Sequence, residues 1–353
     1  MPGRRDGLNG HPSVFQSLAP RLLALRSWSS IMDIVTLGEL LIDMFPAEIG
    51  RRLVEVSAFI PHPGGAPANT AVAATRLGAR TAFIGKVGDD PFGHHLAQVL
   101  AAQGVDTRGI RFDDYARTTM AIIAMVDENT PEFMFYRNPG ADTRLRPDEL
   151  ALDLLQSTRA LHIGSLSLSD EPSRSATYEA VRVARAAGAF VSFDVNYRPL
   201  LWRSPAEALA QVEAMLPHVH LVKVNETELR LVGGDADMAA AARRILERGP
   251  ELVVVTLGPQ GSYYCTQAHD GFTPAFVVPT VDAVGCGDAF VAGLLTQLTR
   301  PSDWRSLLNP ADMRRIMRYA SAVGAITATR KGVIPALPTA AEVEQFLAVA
   351  GNG

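Results

Sequence analysis

The residues best equipped to do chemistry stand together late in the chain, in the stretch Val281-Asp282-Ala283-Val284-Gly285-Cys286-Gly287-Asp288. It follows an extended apolar run at 276–279 and leads into Ala289-Phe290-Val291-Ala292-Gly293-Leu294-Leu295, whose apolar spacing fits a buried helix. Gly285 and Gly287 therefore fall at a helix N-terminus, where glycine lets the backbone turn and approach a ligand closely. Unpaired first-turn N–H groups and the positive end of the helix dipole favour an anion there. Asp288 stands beside that cradle. For simple phosphate binding this placement is unfavourable, because like charges repel. It is productive if Asp288 takes a proton from a hydroxyl while the amides of Gly285, Cys286 and Gly287 stabilise charge on a group being transferred. On these residues alone a plainer reading stands beside it: a glycine-rich turn with Asp288 capping the helix. Cys286 adds a thiol with two readings: a small buried side chain that merely fills space, or a thiol whose pKa the helix dipole is expected to lower, with Asp288 opposing, so that it alkylates faster than Cys265.

This stretch resembles the signature of the ribokinase-like, PfkB-type carbohydrate kinases, which usually reads Asp-Thr-x-Gly-Ala-Gly-Asp before a helix. Both glycines and both aspartates are in place, whereas Ala283 and Cys286 replace the threonine and the alanine. The resemblance continues in the family's order from about 34 to 339, and its implications are placed residue by residue. Asp43 and Asn69 would hold sugar hydroxyls, with Gly64 and Gly65 letting the sugar pack on backbone; two such side chains on separate loops suit a polyol, whose buried hydroxyls need partners. The run Glu132-Phe133-Met134-Phe135-Tyr136-Arg137, continuing to Asp142, resembles the fructokinase branch and would bring Tyr136 and Arg137 over the sugar. Arg198, in Asp194-Val195-Asn196-Tyr197-Arg198, would join them at the carboxyl edge of the sheet.

Asn225 and Glu228 match an Asn-x-x-Glu motif that organises Mg²⁺ around nucleotide phosphates, and Thr256, Gly258 and Gly261 match a nucleotide loop. Gly287 and Ser321 complete the implied ATP contacts. A monovalent cation, K⁺, would rest mainly on backbone carbonyls of Asp282, Val284, Thr327, Arg330, Gly332 and Ala336. The family often has serine at Ala336 and asparagine at Ser321. Plainer readings remain for each motif taken singly: a solvated loop acid for Asp43, strand packing for Tyr136, a helix N-cap for Asn225 and an ordinary turn at 256–261.

The elements that would position these residues alternate. Apolar runs at 34–38, 81–85, 160–163, 190–194, 221–224, 252–257 and 262–266 read as strands, with helical patterns between them, including 70–77 and 94–103, which end at Gly78 and Gly104. Residues 40–45 continue the first run in extended form. This is the rhythm of an α/β fold with a mostly parallel sheet covered on both faces. Residues 52–60, 118–126 and 132–137 interrupt it, the last two reading as a hairpin around 127–130. They are expected to form a small β-sheet lid, bounded at about 52–60 and 111–137, within a kinase domain spanning 32–345. Residues 1–31, rich in Arg, Ser and Pro, are expected to be a disordered extension, from an upstream start or a targeting peptide, and 346–353 a tail.

Composition narrows the partners. The 353 residues are 47% hydrophobic with a formal net charge of −4, which argues against nucleic acid or a membrane surface as principal partner. No apolar run approaches the roughly 20 residues of a bilayer span. Two cysteines give no disulfide framework and imply a cytoplasmic protein. G-x-x-x-x-G-K-[ST] is absent, and the first strand is followed by Gly38-Glu39-Leu40-Leu41-Ile42-Asp43 rather than G-x-G-x-x-G. The resemblance then implies an ATP-dependent sugar kinase, a fructokinase converting D-fructose to D-fructose 6-phosphate, with Asp288 as base and a homodimer formed through the lid sheet. A 2-keto-3-deoxygluconate kinase shares the Tyr-Arg pair and is the alternative within the family. A non-catalytic sugar-binding protein is the alternative outside it, and would have no use for Asp288.

Overall fold

The strands are, in chain order, β1 (Met32–Leu37), β2 (Leu41–Pro46), β3 (Phe59–Gly64), β4 (Thr81–Gly88), β5 (Asp106–Asp113), β6 (Met120–Met125), β7 (Pro131–Tyr136), β8 (Thr158–Gly164), β9 (Phe190–Asp194), β10 (Leu221–Asn225), β11 (Leu252–Thr256), β12 (Gly261–Thr266) and β13 (Asp270–Pro274). The helices are α1 (Ala66–Arg76), α2 (Pro91–Ala102), α3 (Leu152–Gln156), α4 (Ser173–Ala186), α5 (Pro205–Met215), α6 (Glu226–Gly233), α7 (Met238–Leu246), α8 (Cys286–Leu298), α9 (Pro310–Ala328) and α10 (Ala340–Ala350). The structure, a computed structural model, describes residues 31–48, 50–126, 131–234 and 237–350. The extension expected over 1–31 lies, except for Ile31, outside the described residues, as does the hairpin turn at 127–130.

Among the described residues, nine strands form one sheet in the order β13-β12-β11-β10-β9-β8-β1-β4-β5. Pairing is parallel from β11 through β5 and antiparallel for β12 and β13. Such strands carry apolar residues on both faces because helices cover both. Ile34, Phe83, Ala160, Phe190, Leu221 and Val254 point into one core with α1, α2, α8 and α9. Their neighbours Val35, Ile84, Leu161, Val191, Val222 and Val255 point into the other, with α4, α5 and α7.

The chain order reverses at β1. Strands β4 and β5 are added on one side of it, and β8 to β11 on the other. The crossover connections diverge there, which opens a crevice at the carboxyl ends of β1 and β8, the place where open α/β sheets bind ligands. Glu39 and Ser165 lie just beyond those ends, and Asp194 and Asn225 at the carboxyl ends of β9 and β10 on the same edge.

A separate four-stranded sheet has the order β3-β2-β6-β7. Three boundaries differ from the sequence reading. Residues 41–46 do not prolong β1; they form β2, which pairs with β3 and β6 outside the main sheet. Residues 53–55 are a 3₁₀ turn, and β3 starts only at Phe59. Residues 111–113 belong to β5 of the large sheet, so the small sheet resumes at Met120. Strands β5 and β13, at the two edges of the sheet, escape a periodicity reading because apolar and polar residues are mixed on their exposed positions, Phe112 with Arg108 and Phe272 with Asp270. Helix α10 runs on to Ala350, through residues expected as a tail, and Phe346 meets Phe276 edge-on at 5.0 Å between ring centres. Among the described residues no helix is long and apolar enough to cross a membrane.

Candidate active site

Helix α8 begins at Cys286 with Gly285 as its N-cap, in the left-handed region at φ 78°. That conformation favours glycine, and space demands it too: a Cβ on Gly285 would lie 2.5 Å from Val333 Cγ1. Gly287 is different, since beyond its own helix a Cβ there would meet, among the described residues, only Lys223 Nζ at 3.7 Å. The first turn of α8 is thus closed on one side by packing and bordered on the other by an ammonium. Asp288 lies half-buried in this turn, and its Oδ2 accepts a hydrogen bond from Asn69 Nδ2 at 2.8 Å. Burial pushes the Asp288 carboxyl up to about 6; Asp194 adds to the shift, while the Asn69 hydrogen bond, Lys223 and Arg198 pull against it.

Asp43, on β2, faces the same place from the small sheet. Burial first and the Asp288 charge second push its carboxyl up to about 7, against the pull of Arg198. Gly64 and Gly65 form the turn between β3 and α1. A Cβ on Gly64 would fall 2.0 Å from Asp43 Oδ2, and one on Gly65, at φ 108°, would fall 2.4 Å from the Glu39 carbonyl oxygen. Backbone at Gly64 therefore lies directly under the Asp43 carboxylate. Glu39 secures the turn from behind by accepting the Ala66 N–H at 3.0 Å. Asn69 is buried, and its Oδ1 has no hydrogen-bond partner among the described residues.

The nucleotide motifs line the same edge of the sheet. Asn225 caps α6: its Oδ1 accepts the Glu228 N–H at 2.8 Å, and Glu228 Oε2 accepts the Asn225 N–H at 2.8 Å. Glu228 Oε1 accepts the Tyr197 N–H at 2.7 Å, so both its oxygens hold backbone. Thr256 lies beside Asn225 in the β10–β11 register. Gly258, at φ 56°, has open space where a Cβ would be, whereas a Cβ on Gly261 would strike the Thr273 carbonyl oxygen at 2.2 Å. The β12–β13 pairing thus accounts for Gly261 without a ligand. Ser321 stands one turn before Gly324 on α9, and a Cβ on Gly324 would lie 3.3 Å from the Cys286 carbonyl oxygen.

The segments carrying the expected cation carbonyls are laced together. Asp282 Oδ1 accepts the Val284 N–H at 3.0 Å and Oδ2 accepts the Gly332 N–H at 3.1 Å. Val281 N–H donates to the Ala328 carbonyl at 2.7 Å, Arg330 N–H to that of Thr327 at 3.2 Å, and Ala336 N–H to that of Val333 at 3.0 Å.

The sequence pattern of the pfkB family carbohydrate kinases matches residues 32–340. The chain belongs to the pfkB family. It is 46% identical over 318 residues to a probable fructokinase-2 of Arabidopsis thaliana, covering 90% of this chain and 96% of that one. Its fold is similar to the fructokinase of Xylella fastidiosa with bound ATP, with a TM-score of 0.84 at 33% identity, covering 90% of this chain and 99% of that one. It is also similar to a double mutant of the Vibrio cholerae O395 fructokinase bound to fructose, ADP and potassium ion, with a TM-score of 0.80 at 34% identity and coverage of 90% and 99%.

Within this pfkB fold, Asp43, Asn69, Asp288 and Arg198 act on one another electrostatically or by hydrogen bond, with Gly64 beside Asp43, while the expected sugar residues Arg137 and Tyr136 stand differently. Arg137 turns into the interior, donating from Nε to Asp142 at 2.8 Å, from one terminal nitrogen to Ser169 Oγ at 2.9 Å and from the other to the Leu166 carbonyl at 3.1 Å. A guanidinium so engaged ties the end of β7 to Asp142, Ser169 and Leu166. Tyr136 is 55% exposed. For Cys286, burial, followed by Asp282 and Asp288, pushes the thiol up to about 11, in line with the plainer reading of a small buried thiol and against rapid alkylation. Lys223 escaped the sequence reading. The signal was a lysine inside the apolar run Leu221-Val222-Lys223-Val224, where a buried strand tolerates a charge only if it is paired.

Proposed function

We propose that this pfkB-family kinase is an ATP-dependent fructokinase. The observation that carries the reading is the half-buried Asp288 at the start of α8, hydrogen-bonded to Asn69 and electrostatically coupled to Asp43. Asp43 and the Oδ1 of Asn69, which has no partner among the described residues, accept sugar hydroxyls, and the Gly64-Gly65 backbone packs against the ring. The primary hydroxyl gives its proton to Asp288 as its oxygen bonds to the γ-phosphorus. The bond to the β–γ bridging oxygen breaks, its electron pair leaving on ADP. Amides of Gly285, Cys286 and Gly287 stabilise the transferring group, largely by position and charge.

The nucleotide lies along Asn225, Thr256, Gly258 and Ser321. A Mg²⁺ ion carried on its phosphates would neutralise their charge; Glu228, with both oxygens holding backbone, orients Asn225. The laced segments 281–284 and 327–336 fit a K⁺ ion held by carbonyls, a reading in keeping with the potassium ion of the Vibrio cholerae relative. The small sheet serves as a lid. Its exposed apolar side chains, including Ile60, Phe133 and Tyr136, support a homodimer through that sheet in a cytoplasmic enzyme.

A coupled assay with fructose, 2-keto-3-deoxygluconate and a panel of other sugars tests the reading. Fructose is expected to give the highest kcat/KM, in keeping with the 46% identity to a probable fructokinase-2. Binding of fructose without ATP turnover would leave a sugar-binding protein instead. Asp288→Asn should slow turnover by roughly 10²–10⁴-fold with sugar binding retained.

A further inference from the structure

Lys223 is the residue in this region that the reading above leaves without a task. It sits on β10 between Val222 and Val224, both fully buried, and is itself 6% exposed. Its Nζ donates to both Asp194 oxygens at 3.2 Å, across the β9–β10 register. Burial works against the charge, but Asp194, Glu228 and Asp288 outweigh it and hold the ammonium's pKa above its usual value. A buried ion pair is a poor source of stability, because desolvation of both partners offsets their attraction, and apolar residues of similar size do as well or better. Structure alone therefore gives little reason for a lysine here. Position does. Apart from its chain neighbours and its own helix, the one atom of the described residues within 4 Å of the Cβ position of Gly287 is Lys223 Nζ, at 3.7 Å. An ammonium has three protons; the two Asp194 contacts leave one for the side on which Gly287 lies.

We propose that Lys223 is a further catalytic residue of the transfer: held from behind by Asp194, its ammonium contacts the phosphoryl oxygens as the group crosses the cradle of Gly285, Cys286 and Gly287. Charge in such a transition state is spread over the equatorial oxygens, and a fixed cation in a desolvated site stabilises it without reorganisation. Lys223 keeps its proton throughout; the hydroxyl proton goes to Asp288. Asp194 is a positioning residue that keeps the ammonium from turning away. The inference rests on the kinase reading given above.

The test separates charge at the cradle from support of the sheet. Lys223→Met is expected to lower kcat by ~10²–10³-fold, the range seen when one donor to a developing charge is removed, with KM for fructose changed less than about threefold. Since Lys223→Met strands Asp194, the neutral pair Lys223→Met/Asp194→Asn is made alongside it. This variant is expected to fold, as judged by circular dichroism and melting temperature, and to bind fructose by calorimetry, yet to remain as slow as the single variant. A folded double variant within about threefold of wild-type kcat would overturn the role of Lys223 while leaving the kinase reading intact. A wild-type protein without sugar-dependent ATP turnover would remove both.

Discussion

Asn69 Nδ2 donates to Asp288 Oδ2 at 2.8 Å, joining the first turn of α1 to the first turn of α8 across 219 residues of chain. Thr70 Oγ1 adds a contact to the Asp288 carbonyl at 3.5 Å. On the proposed reading, the base is aimed by the residue that would also offer an oxygen to the sugar, so that substrate binding and base orientation would depend on one side chain.

A carboxyl raised from 3.8 to about 6 on folding binds its proton more tightly in the native state. Its charge then costs stability above about pH 6; the cost fades as pH falls and is gone below about 4. Asp288→Asn is expected to melt a few degrees above wild type at pH 8, with the gain vanishing near pH 4. Calorimetric scans across that range check it, and an equal or lower melting temperature at pH 8 refutes it. The wild-type rate, which needs the ionised base, should fall on the acid side of about 6.

Gly64 and Gly65 separate binding from folding. Alanine at Gly64 meets the movable end of Asp43, 2.0 Å from Oδ2, so Gly64→Ala should fold normally and raise the fructose KM at least about tenfold, worth 1.4 kcal/mol. Gly65→Ala meets backbone at φ 108° and should lose ~1–3 kcal/mol of stability. Urea melts with steady-state kinetics distinguish the two; equal destabilisation would contradict the assignment.

Arg137 is expected to act through stability. Arg137→Met leaves Asp142 buried and unpaired, a loss of ~3–5 kcal/mol. Arg137→Met/Asp142→Asn should recover most of it, with a fructose KM within a few-fold of wild type. A folded double variant whose KM rose more than about tenfold would return Arg137 to the sugar site.

Cys286, with its thiol pushed up to about 11, should resist iodoacetamide at neutral pH, and Cys286→Ala should keep full activity because its backbone N–H is what the cradle uses. Peptide mapping after limited alkylation decides it; rapid modification at Cys286 would show that the helix dipole outweighs burial.

The sequence by itself determined the local features of this protein. Strand-helix alternation gave the parallel sheet, because buried strands and amphipathic helices carry their periodicity in short windows. Gly285, Gly287 and Asp288 gave the cradle and its carboxylate, because a helix N-terminus binds anions by local geometry. Tertiary structure decided what local pattern does not encode. It placed 41–46 in the small sheet, since strand pairing is set by partners far away in the chain. It turned Arg137 inward, because Asp142, Ser169 and Leu166 converge there only on folding. It raised the Cys286 thiol, because desolvation depends on what packs above it. It brought Lys223 to Gly287, a neighbour that no spacing along the chain foretells.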